Sequence, residues 1–434
     1  MSEFPGIVVV EPSALSRKYR TGSVFLRKGP APKVDSIKVH LKELRELTRS
    51  NNSMLLEQLN RTFGQYPTFN LFYAENAKKA ASQIKQIAGN TNLASINKSS
   101  VVVNELRPEL HALGLRTHVR YFTEFNNFDV ETFKRRVEDY WSAPDIHDRG
   151  LIESFEVQRE CQRLGTAGLR DYIAVLGVNA ISAEDGTVFF LQHMSNISKD
   201  LDQSRKLILI VSVEKILKDR EAALYHTRAM GIFGLESILL NLAPNPSETY
   251  DFEQLPVLPA TQEREIHLII LDNGRTKLLN DGYSELFLCI DCRACARQCP
   301  IGEHLLVERG MIYSPKNYVL AFLQGVVPPL DECLHCGRCE VECPVSIDVP
   351  TLIWKTQIDH HKKLGRSLKK RVLDNPELMA KMGEWTAPIS NWVKDLSIAR
   401  RMMESVADIH RDAKLPTFHG RTFKDWFRRG AREE

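Results

Sequence analysis

Apolar residues recur at three- and four-residue spacing over residues 42–64 and 74–88, which predicts two helices early in the chain. A strand-like run at 93–97 follows, then a helical pattern over 101–113 that Gly114 can end, and a second strand-like run at 117–122. Helical spacing returns at 130–141 and 155–164. Residues 171–176, 187–191, 206–211 and 265–271 read as strands, with a helix over 221–230 between the last two. The runs 207–213 and 266–271 are almost wholly apolar, as strands covered on both faces are. Residues 244–259 are proline-rich and polar and read as a loop before the last strand. This alternation predicts an α/β domain around a mainly parallel sheet.

The pattern changes after residue 288. Eight of the nine cysteines fall within 55 residues, in two copies of one spacing. The first is Cys289, Cys292, Cys295 and Cys299 followed by Pro300; the second is Cys333, Cys336, Cys339 and Cys343 followed by Pro344. Each reads C-x2-C-x2-C-x3-C-P, the bacterial-type iron–sulfur run. Thiolates spaced by two residues wrap one face of a cubane, and the amides between them can turn toward the sulfurs. The fourth cysteine starts a new direction, and in two-cluster ferredoxins it ligates the other cluster. The expected sets are Cys289, Cys292, Cys295 and Cys343 for one [4Fe–4S] cluster, and Cys333, Cys336, Cys339 and Cys299 for the other. Zinc sites use cysteine pairs without the closing Cys-Pro, and disulfides would not select this repeat. Cys161 stands alone in a polar helical stretch and reads as inert packing. His335, between two ligands, reads first as a loop histidine and second as a group that tunes a potential.

Between the motifs, Ser314-Pro315 forms an N-cap with proline at the first helical position, and Gly325 can end that helix. Asp348 can cap a helix over 350–364 that Gly365 stops. Helices therefore pack around the clusters, the α-helical type of two-cluster ferredoxin also seen in heterodisulfide reductase and succinate dehydrogenase iron–sulfur subunits.

Composition adds little to this picture. The hydrophobic fraction of 43% and charged fraction of 26% are those of a globular protein, and a net charge of +3 does not shape the whole chain for nucleic acid. Residues 351–434 hold 18 Lys and Arg against 11 Asp and Glu, or +7, which leaves −4 for the rest. That basic tail reads as solvated helix faces, with an acidic partner or lipid headgroups as the alternative. No segment approaches the roughly 20 apolar residues that span a bilayer, so the expected location is cytoplasmic, with any place at the inner membrane face reached through a partner. No dinucleotide-binding or P-loop glycine signature is present.

The stretch from Ile266 to Arg275, leading into the first cysteine motif, resembles the LUD-domain family, in particular its iron–sulfur subunit, lactate utilisation protein B. Other pieces follow in the family's order: Ile96-Asn97-Lys98-Ser99-Ser100 with Glu105-Leu106, Gly177-Val178-Asn179-Ala180, Ala183-Glu184-Asp185-Gly186, Val213-Glu214-Lys215, Leu415-Pro416, and Phe423-Lys424-Asp425-Trp426. The resemblance runs from about residue 60 to the end. Three places depart from it: Arg293 where the family has Gly, Asp185 where it has Thr, and His193-Met194-Ser195-Asn196 where it has Asn-Glu-Gly-Asn. The resemblance implies a sugar-isomerase and CoA-transferase-like α/β fold. It also implies partners: a cysteine-rich CCG-domain subunit and a second LUD protein in L-lactate oxidation, with electrons passing toward a quinone. A divergent member would instead be wired to a flavoprotein or a heterodisulfide-reductase-like unit.

Lys98, Asn179, Glu184, Gly186 and Lys215 fall at predicted strand ends or turns, where open α/β sheets place ligands. One reading is an anion or acyl-group pocket with Lys98 as counter-charge and Glu184 as nucleophile or base; the other is turn chemistry, with Gly186 at positive φ and Asn179 as a cap. The expected layout is an N-terminal extension over 1–50, the LUD-like α/β domain over 51–280, the ferredoxin domain over 281–365 and a basic helical tail over 366–434. The expected function is electron transfer within an oxidoreductase complex. The alternative is an enzyme subunit whose α/β domain binds a hydroxy acid or a CoA ester.

Overall fold

The computed structural model describes residues 6–10, 35–66, 70–119, 171–191, 197, 200–201, 204–234, 257–258, 264–296, 299–302, 313–365, 375–407, 409–420 and 423–430. The chain divides into two compact units, Met1–Thr356 and Gln357–Glu434. The helices expected at 130–141 and 155–164, the lone Cys161 and the segment 193–196 lie outside the described residues.

The first unit opens with β1 (Ile7–Val10), α1 (Asp35–Ser50) and α2 (Asn52–Gly64). The single helix expected over 42–64 is thus two. Asn51 Nδ2 donates to the Leu47 carbonyl and closes α1, while the buried Asn52 Nδ2 reaches the Val213 carbonyl at 2.9 Å. Next come β2 (Asn70–Ala74), α3 (Ala77–Ala88) and β3 (Leu93–Ile96). The helix expected from residue 74 starts later because Ala74 completes a parallel ladder, and Asn76 Oδ1 accepts from Lys79 N to cap α3. A π-helical turn, Val101–Leu106, leads into α4 (Arg107–Ala112). Pro108 has no N–H for a regular bond to residue 104, and Arg107 N bonds Val102 O, one residue wider than α-helical pairing.

The remaining strands are β4 (Arg116–Val119), β5 (Ile173–Gly177), β6 (Ala180–Ser182), β7 (Val188–Leu191), β8 (Lys206–Ser212) and β9 (Ile216–Leu217). After α5 (Arg220–Phe233) come β10 (Val257–Leu258), β11 (Glu265–Leu271) and α6 (Arg275–Leu278). Six strands form one parallel sheet in the order β2-β11-β8-β5-β3-β4. Its interior alternates strictly. Leu207, Leu209 and Val211 face α2, while Ile208 and Ile210 face α3, the π-turn and α4.

A second, mixed sheet of five strands was not expected: β10-β1-β7-β6-β9. The residues read as an N-terminal extension supply its β1, which pairs in parallel with β7 (Ile7↔Val188, Val8↔Phe189). The expected loop over 244–259 contains β10, antiparallel to β1. Two-residue strands and a strand distant from its partner in sequence carry too little periodicity to be read alone.

Helices α7 (Pro315–Leu323), α8 (Arg338–Val341) and α9 (Val349–Leu364) surround the cysteine motifs. Ser314 Oγ accepts from Asn317 N, Gly325 (φ 75°) ends α7, Asp348 Oδ1 accepts from Thr351 N, and Gly365 (φ 75°) ends α9. The second unit holds α10 (Pro376–Trp385), α11 (Ala387–Val393), α12 (Ser397–Ala407) and α13 (Phe423–Gly430). There Phe418 packs on Gly383, and its backbone exchanges two hydrogen bonds with the Asn391 amide. Among the described residues no helix is long and apolar enough to cross a membrane.

Candidate metal centre

The two cysteine motifs share one backbone shape. The residue two after the first cysteine has positive φ in each copy (Asp291 59°, His335 48°), as does the residue after the second (Arg293 59°, Gly337 75°). These left-handed steps turn amides onto sulfur. Asp291 N–H donates to Cys289 Sγ at 3.2 Å, and His335 N–H donates to Cys333. Cys343 takes amides from Ile347 (3.3 Å), Val345 and Ser346, and Cys295 takes the amide of Lys316 in the first turn of α7. Such donors favour negative sulfur, and the positive end of a helix adds to the effect.

The described cysteines are all free thiols, and they sort into two groups. Burial pushes the Cys295 thiol well up, and the charges of Cys289, Cys292 and Cys343 push it further. Burial, then Cys333, Cys299 and Cys336, push Cys339 up to about 12. Cys299, Cys333, Cys336 and Cys339 all line one small cavity that opens to solvent, and no thiol of the first group lines it. Crowded thiols of this kind are held as thiolates by a bound metal. Among the described residues no three His, Cys, Asp or Glu side chains come close enough to share one metal ion. In a cubane each thiolate binds its own iron, so its ligands stand farther apart than those of a single ion. The donor set fits the iron–sulfur group.

The first group lies at the carboxyl ends of the parallel strands. Asn97, after β3, exchanges two hydrogen bonds with the backbone of Gly177, at the end of β5. Ser100 Oγ donates to Asp291 Oδ2, and Lys215 Nζ, after β8, lies 4.0 Å from the same oxygen. Arg275, after β11, holds Glu105 through two nitrogens at 2.9 and 2.5 Å and Glu214 through Nε at 3.0 Å. Gln324, at the end of α7, donates to Glu105 Oε2 and to the Asn273 carbonyl. The edge where open α/β sheets bind ligands is thus covered by the chain's own first cysteine loop.

Buried charge is concentrated there. Arg45, wholly buried, donates to the carbonyls of Phe287 (2.6 Å) and Leu288 (3.1 Å) just ahead of Cys289. Burial lowers its pKa to about 10, against the opposing pull of Glu214 and Cys289. Burial also works against the Lys316 ammonium, but Cys289, Asp291 and Glu214 hold it above the ordinary lysine value. For Glu214 burial is outweighed by Arg275, Lys215 and Lys316, and its pKa falls to about 2. Three cations, Arg45, Lys215 and Lys316, thus stand close to the first group. At the second, the Tyr313 hydroxyl lies 3.3 Å from Cys299 Sγ. Burial and the neighbouring sulfurs raise the phenol's pKa, so it stays protonated and donates.

Of the pocket candidates, Lys215 joins the cysteine loop. Lys98 is half-buried between β3 and the π-turn. Asn179 spans the β6–β7 pair, accepting from Leu191 N and donating weakly to Met230 Sδ. Glu184 is exposed on the β6–β7 hairpin, and Gly186 closes that hairpin at φ 76° with N–H to the Ser182 carbonyl. Arg45, Lys316 and Tyr313 were not singled out from the sequence, and Glu214 was noted only as part of the resemblance, because only the tertiary fold brings them to sulfur.

The model of the 4Fe-4S dicluster domain matches residues 288–347. Lactate utilization protein B of Lysinibacillus sphaericus (strain C3-41) is 26% identical over 344 residues, covering 72% of this chain and 69% of the relative. Its namesake in Bacillus velezensis is 22% identical over 432 residues, covering 90% and 87%. The chain is similar over most of its length to iron–sulfur-associated proteins of the LUD family. No solved structure matches it. Like those relatives it carries an iron–sulfur domain, and the departure at Arg293 falls on a left-handed position where the glycine of the resembled family would sit without strain.

Proposed function

We propose that the chain is the electron-relay subunit of an oxidoreductase complex, without substrate chemistry of its own. Cys289, Cys292, Cys295 and Cys343 would hold one [4Fe–4S] cluster, and Cys299, Cys333, Cys336 and Cys339 the other. Bound there, the clusters supply one-electron storage at two neighbouring points. The observation that carries this reading is the sorting of eight thiols into two groups, each completed by the fourth cysteine of the opposite motif. The chain's own residues set the environment: Arg45, Lys215 and Lys316 offset negative charge at the buried group, and Tyr313 donates at the other.

The similarity to lactate utilization proteins supports L-lactate oxidation as the setting. The proposed donor is a dehydrogenase or flavoprotein and the proposed acceptor a quinone or CCG-domain subunit, with a second LUD protein alongside. The alternative, an α/β domain that binds a hydroxy acid or CoA ester, draws less support, because Lys215 is engaged by Asp291 and Glu184 sits exposed on a hairpin.

Anaerobic purification followed by iron and sulfide analysis and redox-poised EPR tests the proposal. About eight irons per chain, with spin-coupled signals on reduction, is the expected result for two adjacent cubanes. Zinc in place of iron, or clusters that no accessible potential reduces, would overturn it.

A further inference from the structure

We infer that the segment around Cys336 is the docking surface for a redox protein with a basic rim around its own exposed centre. The inference rests on the relay reading and adds where, and to what kind of partner, electrons pass.

The two thiol groups differ in access. Cys292 is buried and its group lies among buried cations, whereas Cys336 is exposed and its cavity opens to solvent. Electron exchange with another protein is therefore available at Cys336. The surface there has the make-up of a protein contact. Leu334, at the cavity mouth, is 66% exposed, and Val341, on the helix that carries Cys339, is 77% exposed. Trp354 is also exposed, with its ring 4.9 Å from that of His335. An apolar centre with a charged rim is common at interfaces.

The rim's charge selects the partner. Residues 331–342 carry three exposed carboxylates, Asp331, Glu332 and Glu340, and the half-buried Glu342, against the single cation Arg338. The chain as a whole is +3, so this acidic patch is local. A cationic partner gains encounter rate from such a patch and an anionic one loses it. An anionic lipid surface would be repelled for the same reason.

The test uses the purified, cluster-loaded chain, with its iron content and EPR signal recorded before mixing. Reduced protein is mixed in a stopped-flow instrument with cytochrome c, whose haem edge is rimmed by lysines, and separately with ferricyanide as an anionic acceptor. The cytochrome rate should fall about tenfold or more as salt rises from roughly 20 to 300 mM, and the ferricyanide rate should not fall. The triple variant Glu332→Lys, Glu340→Lys, Glu342→Lys should lose that salt dependence with its EPR signal unchanged. Glu377→Lys with Glu384→Lys, in the second unit, should behave as the unaltered chain. Equal salt slopes for both acceptors, or an unaffected triple variant, would overturn the docking surface and leave the relay reading intact. A chain without reducible clusters would overturn both.

Discussion

Lys215 and Asp291 meet at 4.0 Å in the interior, with side chains 3% and 10% exposed, and so join the parallel sheet to the loop between Cys289 and Cys292. Removing one partner of a buried ion pair leaves the other uncompensated. Lys215→Met should cost about 3 kcal/mol in chemical denaturation. It should also lower the potential of the buried cluster, because a nearby cation favours the more negative, reduced state. Asp291→Asn should shift that potential upward. EPR-monitored titration of the two variants reads both signs, and shifts in the same direction would rule out an electrostatic origin.

Tyr313 makes the corresponding prediction at the other group. Its hydroxyl donates to Cys299 Sγ at 3.3 Å, and Tyr313→Phe removes that donor while keeping the ring. The cost in stability should be about 1 kcal/mol. Hydrogen bonds to sulfur raise a cluster's potential, so the exposed cluster should become harder to reduce while the buried one moves much less. Equal shifts at both clusters would mean a general disturbance.

How much of this was legible in the sequence depended on how local each signal is. The Ser314 cap and the stops at Gly325 and Gly365 are written within a few neighbouring residues, and the structure has them as read. The strands β5, β8 and β11 were legible because burial on both faces makes them mostly apolar. The second sheet was not, since β1 and β10 meet across some 250 residues and β9 and β10 have two residues each. The charges around Cys289 come from α1, the turn after β8, and α7. Each looks in isolation like an ordinary surface lysine, arginine or glutamate.

Gly177 shows why the sheet edge tolerates little change. A methyl group there would come within 2.2 Å of Ser99 Oγ and 2.3 Å of Ser99 Cβ. Ser99 precedes Ser100, which donates to Asp291, so the displacement would reach the cysteine loop. Gly177→Ala should cost about 2 kcal/mol, as overpacking does, and should broaden the EPR signal of the buried cluster. An unchanged denaturation midpoint with an unchanged signal would show that the β3–π-turn connection adjusts freely.

His226 should make stability fall on mild acidification. The ring is fully buried on α5, and neither nitrogen has a protein partner among the described residues. Burial first, and then the charges of Arg45 and Lys215, hold its folded-state pKa well below 6.5. A depressed folded pKa means that the unfolded chain takes up the proton first. The associated stability is complete above about pH 6.5 and is lost as pH falls toward the folded value, at about 1.4 kcal/mol per pH unit. Glu214 acts between its ordinary 4.5 and about 2, below the pH range used to follow His226. Urea midpoints taken anaerobically at pH 7.5, 6.5 and 5.5 should be level across the first step and fall across the second. His226→Leu, close in volume and without polar atoms, should flatten the second step. If the variant keeps the same fall, protonation elsewhere is responsible and the buried imidazole is not what limits the fold in acid.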